Sequence, residues 1–167
     1  GSPADATACN PGSCTFQEAK THCDSLSTFG TATEAAPTVF IAAVSAAMRS
    51  AHSSHPASIC IDGDLTTDYC HSHPDDAIDP WLQIDLGTTH NVARLTLYNR
   101  HACCWDRIAH HQIWLSDSST TPATKCFEGT AGNSVGPFVE ECIGTGRYIR
   151  IVLPGASRLL NLAEVKV

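Results

Sequence analysis

The chain has 167 residues, which is enough for one domain with a full hydrophobic core and a short additional segment. Its formal net charge of −7 argues against nucleic acid and against anionic membrane surfaces as partners, because both select basic patches. Nine cysteines without a C-x-x-C pair indicate an oxidising compartment, so we expect a secreted or cell-surface protein. A module of a larger multidomain chain, or one subunit of an oligomer, agrees with these features.

Residues 1–36 differ in character from the rest of the chain, and we expect an N-terminal extension there. Apolar side chains recur at helical spacing between Thr15 and Leu26, and Thr15 with Glu18 has the pattern of a capping box. The segment contains three cysteines, Cys9, Cys14 and Cys23. These features predict a short helix tied by one disulfide, with one cysteine left over.

Residues 37–167 have the pattern of an all-β domain with long loops, since charged side chains are few and small or turn-forming residues are common. Residues 38–48 are small and apolar, so the pattern there fits a strand or a helix equally well. Strands are predicted at residues 81–87, 92–98, 111–115, 147–153 and 159–167. In the fourth of these, Ile149, Ile151 and Leu153 alternate with other side chains, as in a strand of a sandwich.

Residues 99–107 form a loop between two predicted strands, where a rigid scaffold usually carries its binding residues. Arg100 and Arg107 flank the adjacent cysteines Cys103 and Cys104. These cysteines can bond each other, which gives a rigid, apolar ring, or they can bond two other cysteines; the spacing alone leaves both open. An apolar ring with guanidinium donors at its edges suits a sugar, which has a C–H face and hydroxyl edges.

The spacing of His73, Arg100 and Arg107 around the Cys103–Cys104 pair resembles the signature of the F-type lectins, or fucolectins. One position departs, since Ala102 stands where the family usually has an aspartate that helps to orient the arginines. The Asp62 turn, residues 81–87 and the final strand also resemble the discoidin-like (coagulation-factor C-domain) superfamily. This resemblance covers about residues 45–167 and implies a β-jelly-roll sandwich with its binding loops gathered at one end.

The F-type lectin resemblance implies a site for α-L-fucose, with His73, Arg100 and Arg107 as hydrogen-bonding residues. It places the sugar on a Cys103–Cys104 disulfide. By loop position, Tyr69 and His52 are expected to form the apolar wall beside the 6-methyl group of the sugar.

The same resemblance implies a calcium ion that braces the loop next to the sugar. Oxygen ligands are what Ca²⁺ requires. The matching ligands are the side chains of Asp62 and Glu164 and the backbone carbonyls of Ile59, Asp64, Cys70 and Ala163.

Two further disulfides are expected. Cys126 and Cys142 flank a glycine-rich segment and match a disulfide of the family, while Cys60 and Cys70 bracket the Asp62 turn. Another bridge common in the family would need a cysteine at Ala163 and therefore cannot form here.

Two other chemical patterns are present but incomplete. A zinc or copper site lacks a clear fourth ligand and a closed spacing; the histidines concerned are His71, His73, His101, His110 and His111. Residues 132–136 match the G-x-S-x-G nucleophile elbow, yet no histidine follows Ser134, as that fold requires. We therefore predict a binding protein and not an enzyme.

The sequence thus predicts an extracellular lectin domain for fucosylated glycans, with bound Ca²⁺. Two alternatives remain. One is a discoidin-like adhesion module that binds a protein or lipid through the same loops. The other is a non-catalytic carbohydrate-binding module of a larger secreted enzyme.

Overall fold

A computed structural model describes residues 39–121 and 124–167. The predicted helix and disulfide of residues 1–36 lie outside the described residues. Residues 39–167 form one unit whose eight strands run in chain order. These strands are β1 (Ser45–Met48), β2 (Cys70–His71), β3 (Trp81–Tyr98), β4 (His111–Ser116), β5 (Thr124–Gly129), β6 (Phe138–Val152), β7 (Asn161–Leu162) and β8 (Glu164–Lys166).

The all-β prediction is confirmed for the described residues, whose only helices are two short 3₁₀ turns, Ala57–Ile61 and Trp105–Ile108. Five strands of the larger sheet pair in the order β1-β3-β6-β4-β5, β8 pairs with β3, and β2 and β7 form a separate antiparallel pair. The register of β3 against β6 shifts between Asp85 and His90 and again between Val92 and Arg94. Such bulges bend and twist a long strand.

The core lies against one face of the larger sheet. Ile84, Ile149 and Leu115 are neighbours across β3, β6 and β4, and all three are at most 1% exposed. The next inward row contains Leu82, Ile151 and Ile113, which are fully buried. This alternation is the one predicted for residues 147–153, and it turns the intervening side chains outward.

The final predicted strand is divided into β7 and β8 at Ala163. The backbone N–H of Ala163 donates to the carbonyl of Tyr98, which ties the break to the end of β3. β7 therefore pairs with β2, whereas β8 pairs with β3. This division carries Asn161 to the loops that follow β3 and places Glu164 beside the Asp62 turn.

Three disulfides join the pairs expected from the sequence: Cys60–Cys70, Cys103–Cys104 and Cys126–Cys142. Within the described residues, no helix has the length and apolar character needed to cross a membrane.

Candidate functional site

Asn99 anchors the loop that carries the two arginines. Its side chain is 1% exposed and uses both ends of the amide. The Nδ2 group donates to the carbonyls of Trp105 (3.0 Å) and Ser134 (3.1 Å), and Oδ1 accepts from the backbone N–H of Arg100 (3.0 Å). A buried amide with its donors and acceptor satisfied fixes the loop base firmly.

The loop then closes on itself through Trp105. The indole N–H donates to the carbonyl of Arg100 at 2.9 Å, so the 3₁₀ turn Trp105–Ile108 is tied back to the start of the loop. Cys104 has a φ of 66°, in the left-handed region, and is bonded to Cys103. Both cysteines are partly exposed. The ring therefore lies at the surface of the loop that carries the two arginines.

Arg107 is held by side chains from the paired strands β2 and β7. Its Nη1 group donates to Oδ1 of Asn161 (3.1 Å) and contacts Nε2 of His71 at 2.9 Å. A guanidinium cannot accept a hydrogen bond, so Nε2 of His71 must be the acceptor and Nδ1 must carry the proton. Nδ1 faces the carbonyl of Ser72, to which it donates. His71 is therefore held as one neutral tautomer.

The electrostatic surroundings also favour neutral His71. Burial lowers the pKa of its imidazole below the usual value, and the positive charges of Arg107 and Arg100 add to that effect. The hydrogen bond to Ser72 opposes it but does not reverse the direction. His71 thus accepts a hydrogen bond from Arg107 as a neutral group, which adds no second positive charge beside the guanidinium.

Arg100 is oriented by stacking. The centre of its guanidinium lies 3.9 Å from the ring centroid of Tyr69, whose other neighbour is the His55 ring at 4.3 Å. His55 is in turn bonded through Nδ1 to Asp68 at 3.0 Å. The stack supplies an orientation that the family's aspartate cannot supply here, because the position is Ala102 and its side chain is exposed.

One nitrogen of Arg100 is buried and unpaired. The Nε atom has no hydrogen-bond partner among the residues that the structure describes. A buried donor without a partner carries a desolvation cost, and such groups are often completed by a ligand or by water. Arg100 itself stands at the start of the loop that holds the disulfide ring.

His52 lies between His71 and His73 in a row of three neighbouring imidazole rings. The His73 side chain is 44% exposed, and its Nδ1 accepts from the backbone N–H of Asp75 at 3.2 Å. Its ring stacks on His52 at 6.1 Å between centroids, and His52 lies 6.1 Å from His71. Within residues 39–121 and 124–167, His73 has no recorded hydrogen bond to either arginine. A role for His73 as a direct sugar ligand stays a prediction.

Sequence reasoning missed three residues that build this site: His71, Asn99 and Asn161. The motif spacing selects His73, but β2 ends at His71, and that is the histidine placed beside Arg107. Asn99 could have been suspected as the residue between a strand and Arg100. Asn161 gives no such signal, because its position depends on β7 pairing with β2.

The candidate calcium site surrounds the Asp62 turn. Glu164 is 4% exposed, and its Oε2 accepts from the backbone N–H of Gly63 at 2.9 Å. Burial raises the pKa of Glu164, and the like charge of Asp62 raises it further. The carboxylates of Asp62 and Glu164 thus repel each other, and a bound cation would offset their charge.

Asp64 differs from its two acidic neighbours. Its carboxylate accepts hydrogen bonds from the side chain and backbone N–H of both Thr66 and Thr67, and these bonds lower its pKa to about 2. The side chain is thus committed to its own turn, which agrees with a ligand role limited to the backbone carbonyl. Among the described residues no three His, Cys, Asp or Glu side chains are grouped to hold a metal, so a cation here needs backbone carbonyls.

Comparisons with known proteins agree with this fold. The family described as NedA-like, galactose-binding domain, of the F5/F8 type C group, matches residues 60–151, more than half of the chain. The fucolectin of Anguilla anguilla is 29% identical over 132 residues, which are 74% of this chain and 83% of that protein. Fucolectin-1 of Anguilla japonica is 29% identical over 115 residues, 64% of each protein.

Two solved structures give the same result. The serum f-lectin (fucolectin) of striped bass, Morone saxatilis, superposes with a TM-score of 0.66 at 29% identity, over 73% of this chain and 44% of that one. The lectin domain of lectinolysin, complexed with Lewis B antigen, superposes with a TM-score of 0.68 at 25% identity, over 78% of this chain and 96% of that one. The chain thus spans under two thirds of some relatives. It belongs to the F5/F8 type C family of galactose-binding domains, in their discoidin-like fold, and is homologous to the eel fucolectins.

Proposed function

We propose that this chain is an extracellular lectin domain that binds terminal α-L-fucose and performs no chemistry. The observation that carries the proposal is the pair Arg100 and Arg107, held by stacking and by hydrogen bonds in the loop that contains the Cys103–Cys104 disulfide. Their partners in the site are neutral groups, so both guanidinium charges remain available to sugar oxygens. The relatives named fucolectins support fucose as the ligand class.

Each arginine has a distinct part in recognition. Arg107 uses Nη1 for His71 and Asn161, which leaves its other N–H groups for a sugar hydroxyl. Arg100 offers the terminal N–H groups of its guanidinium, which is oriented by the stack on Tyr69. The fixed fork of a guanidinium can bond two neighbouring sugar oxygens in set directions, which lysine cannot do. Each such charge-assisted bond contributes roughly 1.5–3 kcal/mol.

The disulfide ring and the nearby aromatic residues supply the apolar contacts. The Cys103–Cys104 ring would lie under the C1–C2 edge of the sugar. Tyr69 has Arg100 and His55 against its two faces, so it can contact the 6-methyl group only with its edge. His52 is the second residue expected beside that methyl group. One sugar held in this way should bind with a dissociation constant of roughly 10–1000 μM, and multivalency would raise the affinity.

A bound calcium ion would neutralise Asp62 and Glu164 and so hold the turn that precedes the stack of His55, Tyr69 and Arg100. The expected ligands are those two carboxylates together with the carbonyls of Ile59, Asp64, Cys70 and Ala163. Supporting this proposal are the burial of Glu164 and the like charge facing it.

Calorimetric titration with L-fucose, in calcium and then in EDTA, tests the proposal. Saturable binding that is lost in Arg100→Ala and Arg107→Ala is the expected result. Arg94→Ala is the matched control, because Arg94 is an exposed arginine of β3 that belongs to neither site. Fucose binding that survives both site variants would refute the assignment.

Protein adhesion through the same loops is the second candidate function. The observation that favours it is the exposed Ala102, which leaves Arg100 without the acidic neighbour of the family. A chain that binds no glycan on a broad array, with or without calcium, would support adhesion instead.

A further inference from the structure

A second cleft lies on the outward face of the larger sheet, away from the arginine loop. The strand register places Trp81, Val152 and Gln112 in one row across β3, β6 and β4. The next outward row contains Gln83, Arg150 and Trp114. The cleft has a volume of about 320 Å³, near the lower end of the roughly 300–1,000 Å³ typical of small-ligand pockets. None of its lining residues belongs to the proposed fucose site.

The two tryptophans give the cleft an aromatic surface. The indole N–H of Trp114 donates to Oε1 of Gln112 at 3.1 Å, and Nε2 of Gln112 donates to Glu128 at 3.1 Å. This chain of bonds fixes the plane of the Trp114 ring. Indole faces attract the C–H face of a sugar ring and give a large contact area at small conformational cost.

Arg150 is one of two arginines that line the cleft, and its hydrogen-bond partners are neutral. Its guanidinium centre lies 4.5 Å from the ring centroid of Trp81. Nε and Nη2 both donate to Oε1 of Gln83, at 3.0 and 2.5 Å, and Nη2 also donates to the carbonyl of Ser119 at 3.0 Å. Nη1 makes no hydrogen bond within the described part of the chain.

The contrast with two neighbouring arginines is sharp. Arg147, three residues earlier on β6, forms a two-pronged ion pair with Asp85. Arg49, at the rim of the cleft, is paired with Asp76 at 3.0 Å. No carboxylate of the described residues lies within ion-pair distance of Arg150. The chain has a net charge of −7, yet this half-buried guanidinium has no carboxylate partner. It can therefore bind the carboxylate of a ligand.

We propose that this cleft is a second carbohydrate site, specific for a carboxylated sugar such as a hexuronate or a sialate. The carboxylate pairs with Arg150, and the sugar ring lies against the indoles of Trp81 and Trp114. Gln112 and the rim residue Asp79 offer polar groups to the hydroxyls. A long polyanion is disfavoured by the net charge of the chain, so the ligand is a single acidic sugar residue of a glycan.

The three tryptophans allow a direct test, because each reports on one place. Trp81 and Trp114 line the new cleft, whereas Trp105 lies in the arginine loop and bonds to Arg100. Two-dimensional ¹H–¹⁵N spectra of the 167-residue protein would follow the three indole N–H signals. The ligands are methyl β-D-glucuronide, the methyl α-glycoside of N-acetylneuraminic acid, methyl β-D-glucoside as the neutral match, and L-fucose.

One or both acidic glycosides should shift the Trp114 and Trp81 signals saturably and leave Trp105 in place, and the one that binds identifies the sugar class. Arg150→Gln should weaken this binding about tenfold or more, because the charge is lost while an amide remains. The matched control Arg147→Gln should change it less than about twofold, because Arg147 lies beyond the cleft.

Four results would overturn the proposal. They are no indole shift with either acidic glycoside up to about 50 mM, a shift confined to Trp105, equal binding of the neutral glucoside, or unchanged binding in Arg150→Gln. The backbone spectrum of each variant confirms that it is folded. L-Fucose shifts only Trp105 if the first site is correct, so the failure of one site is distinguishable from the failure of the other.

Discussion

Arg107 and His71 form a 2.9 Å hydrogen bond in which the guanidinium donates and the imidazole Nε2 accepts. The bond fixes the tautomer of His71, and His71 in turn fixes one branch of Arg107. A neutral acceptor is the suitable partner here, because a carboxylate would neutralise the charge that a sugar oxygen uses. In the proposed fucose site His71 is therefore a positioning residue, which would act on the ligand through Arg107.

Substitution of His71 gives the first prediction. His71→Ala should weaken fucose binding about tenfold, since Arg107 loses an acceptor worth roughly 1–2 kcal/mol. His71→Gln should recover part of the loss, because an amide oxygen can accept from Arg107. His73→Ala should weaken binding less than His71→Ala does, because His73 is a ring further away. Calorimetry with L-fucose measures all three, and a larger loss in His73→Ala would restore the motif histidine as the direct ligand.

Tyr69 gives the second prediction, through its stacking against Arg100. Tyr69→Leu should weaken fucose binding roughly 2- to 30-fold, the range that a cation–π contact of about 0.5–2 kcal/mol allows. Tyr69→Phe should bind nearly as well as the parent protein, because the ring and not the hydroxyl makes the stack. The measurement is the dissociation constant of L-fucose for each variant. Equal constants for Tyr69→Leu and Tyr69→Phe would show that stacking does not position Arg100.

The all-β class, the inward alternation of residues 149–153 and the three disulfides could be predicted from sequence, because each depends on local spacing or on a family pattern. The contacts of Arg107 with His71 and Asn161 could not be predicted in this way. They depend on where β2 ends, on the pairing of β2 with β7, and on the break at Ala163 that separates β7 from β8. These are long-range registers, and a motif count, which selects His73, cannot show which histidine lies beside Arg107.

The site around Arg150 illustrates the same limit. Its residues come from three strands that are distant in sequence, and the lack of a carboxylate partner becomes visible only when β3, β6 and β4 are placed side by side. The sequence does place Arg150 in the correct strand, facing outward. It cannot show that Arg147 pairs with a carboxylate, Asp85, whereas Arg150 pairs with a neutral amide, Gln83.

Calcium gives the third prediction, through Glu164. Calcium at about 100 times its dissociation constant should raise the unfolding free energy of the parent protein by about 2.7 kcal/mol and raise its melting temperature by several degrees. Glu164→Gln should lose this response. It should also be no less stable than the parent in EDTA, because the variant removes a buried charge that faces Asp62.

Thermal melts of both proteins, in calcium and in EDTA, provide the measurement. Glu141→Gln is the control, since Glu141 is an exposed carboxylate of β6. Identical melting temperatures of the parent protein with and without calcium would exclude a calcium brace at this turn.

His111 gives the last prediction, which concerns stability and pH. The side chain is fully buried, its Nδ1 donates to the carbonyl of Ile108 at 3.0 Å, and its Nε2 has no hydrogen-bond partner among the described residues. Burial lowers the pKa of this imidazole below its usual value of 6.5. His111 of the unfolded chain therefore binds a proton near pH 6.5, whereas His111 of the folded protein is protonated only at a lower pH.

The sign follows from that difference. Between pH 6.5 and the lower pKa of the folded protein, the unfolded state binds more protons, so the unfolding free energy falls as the pH falls. Glu140 opposes this trend, since burial raises its pKa above 4.5 and the folded state then binds the extra proton. Its carboxylate lies 3.6 Å from Nε2 of His111. Urea unfolding between pH 5 and 8 should show a decline below pH 6.5 that is reduced in His111→Gln and steeper in Glu140→Gln. A slope unchanged by His111→Gln would show that other groups govern the pH dependence.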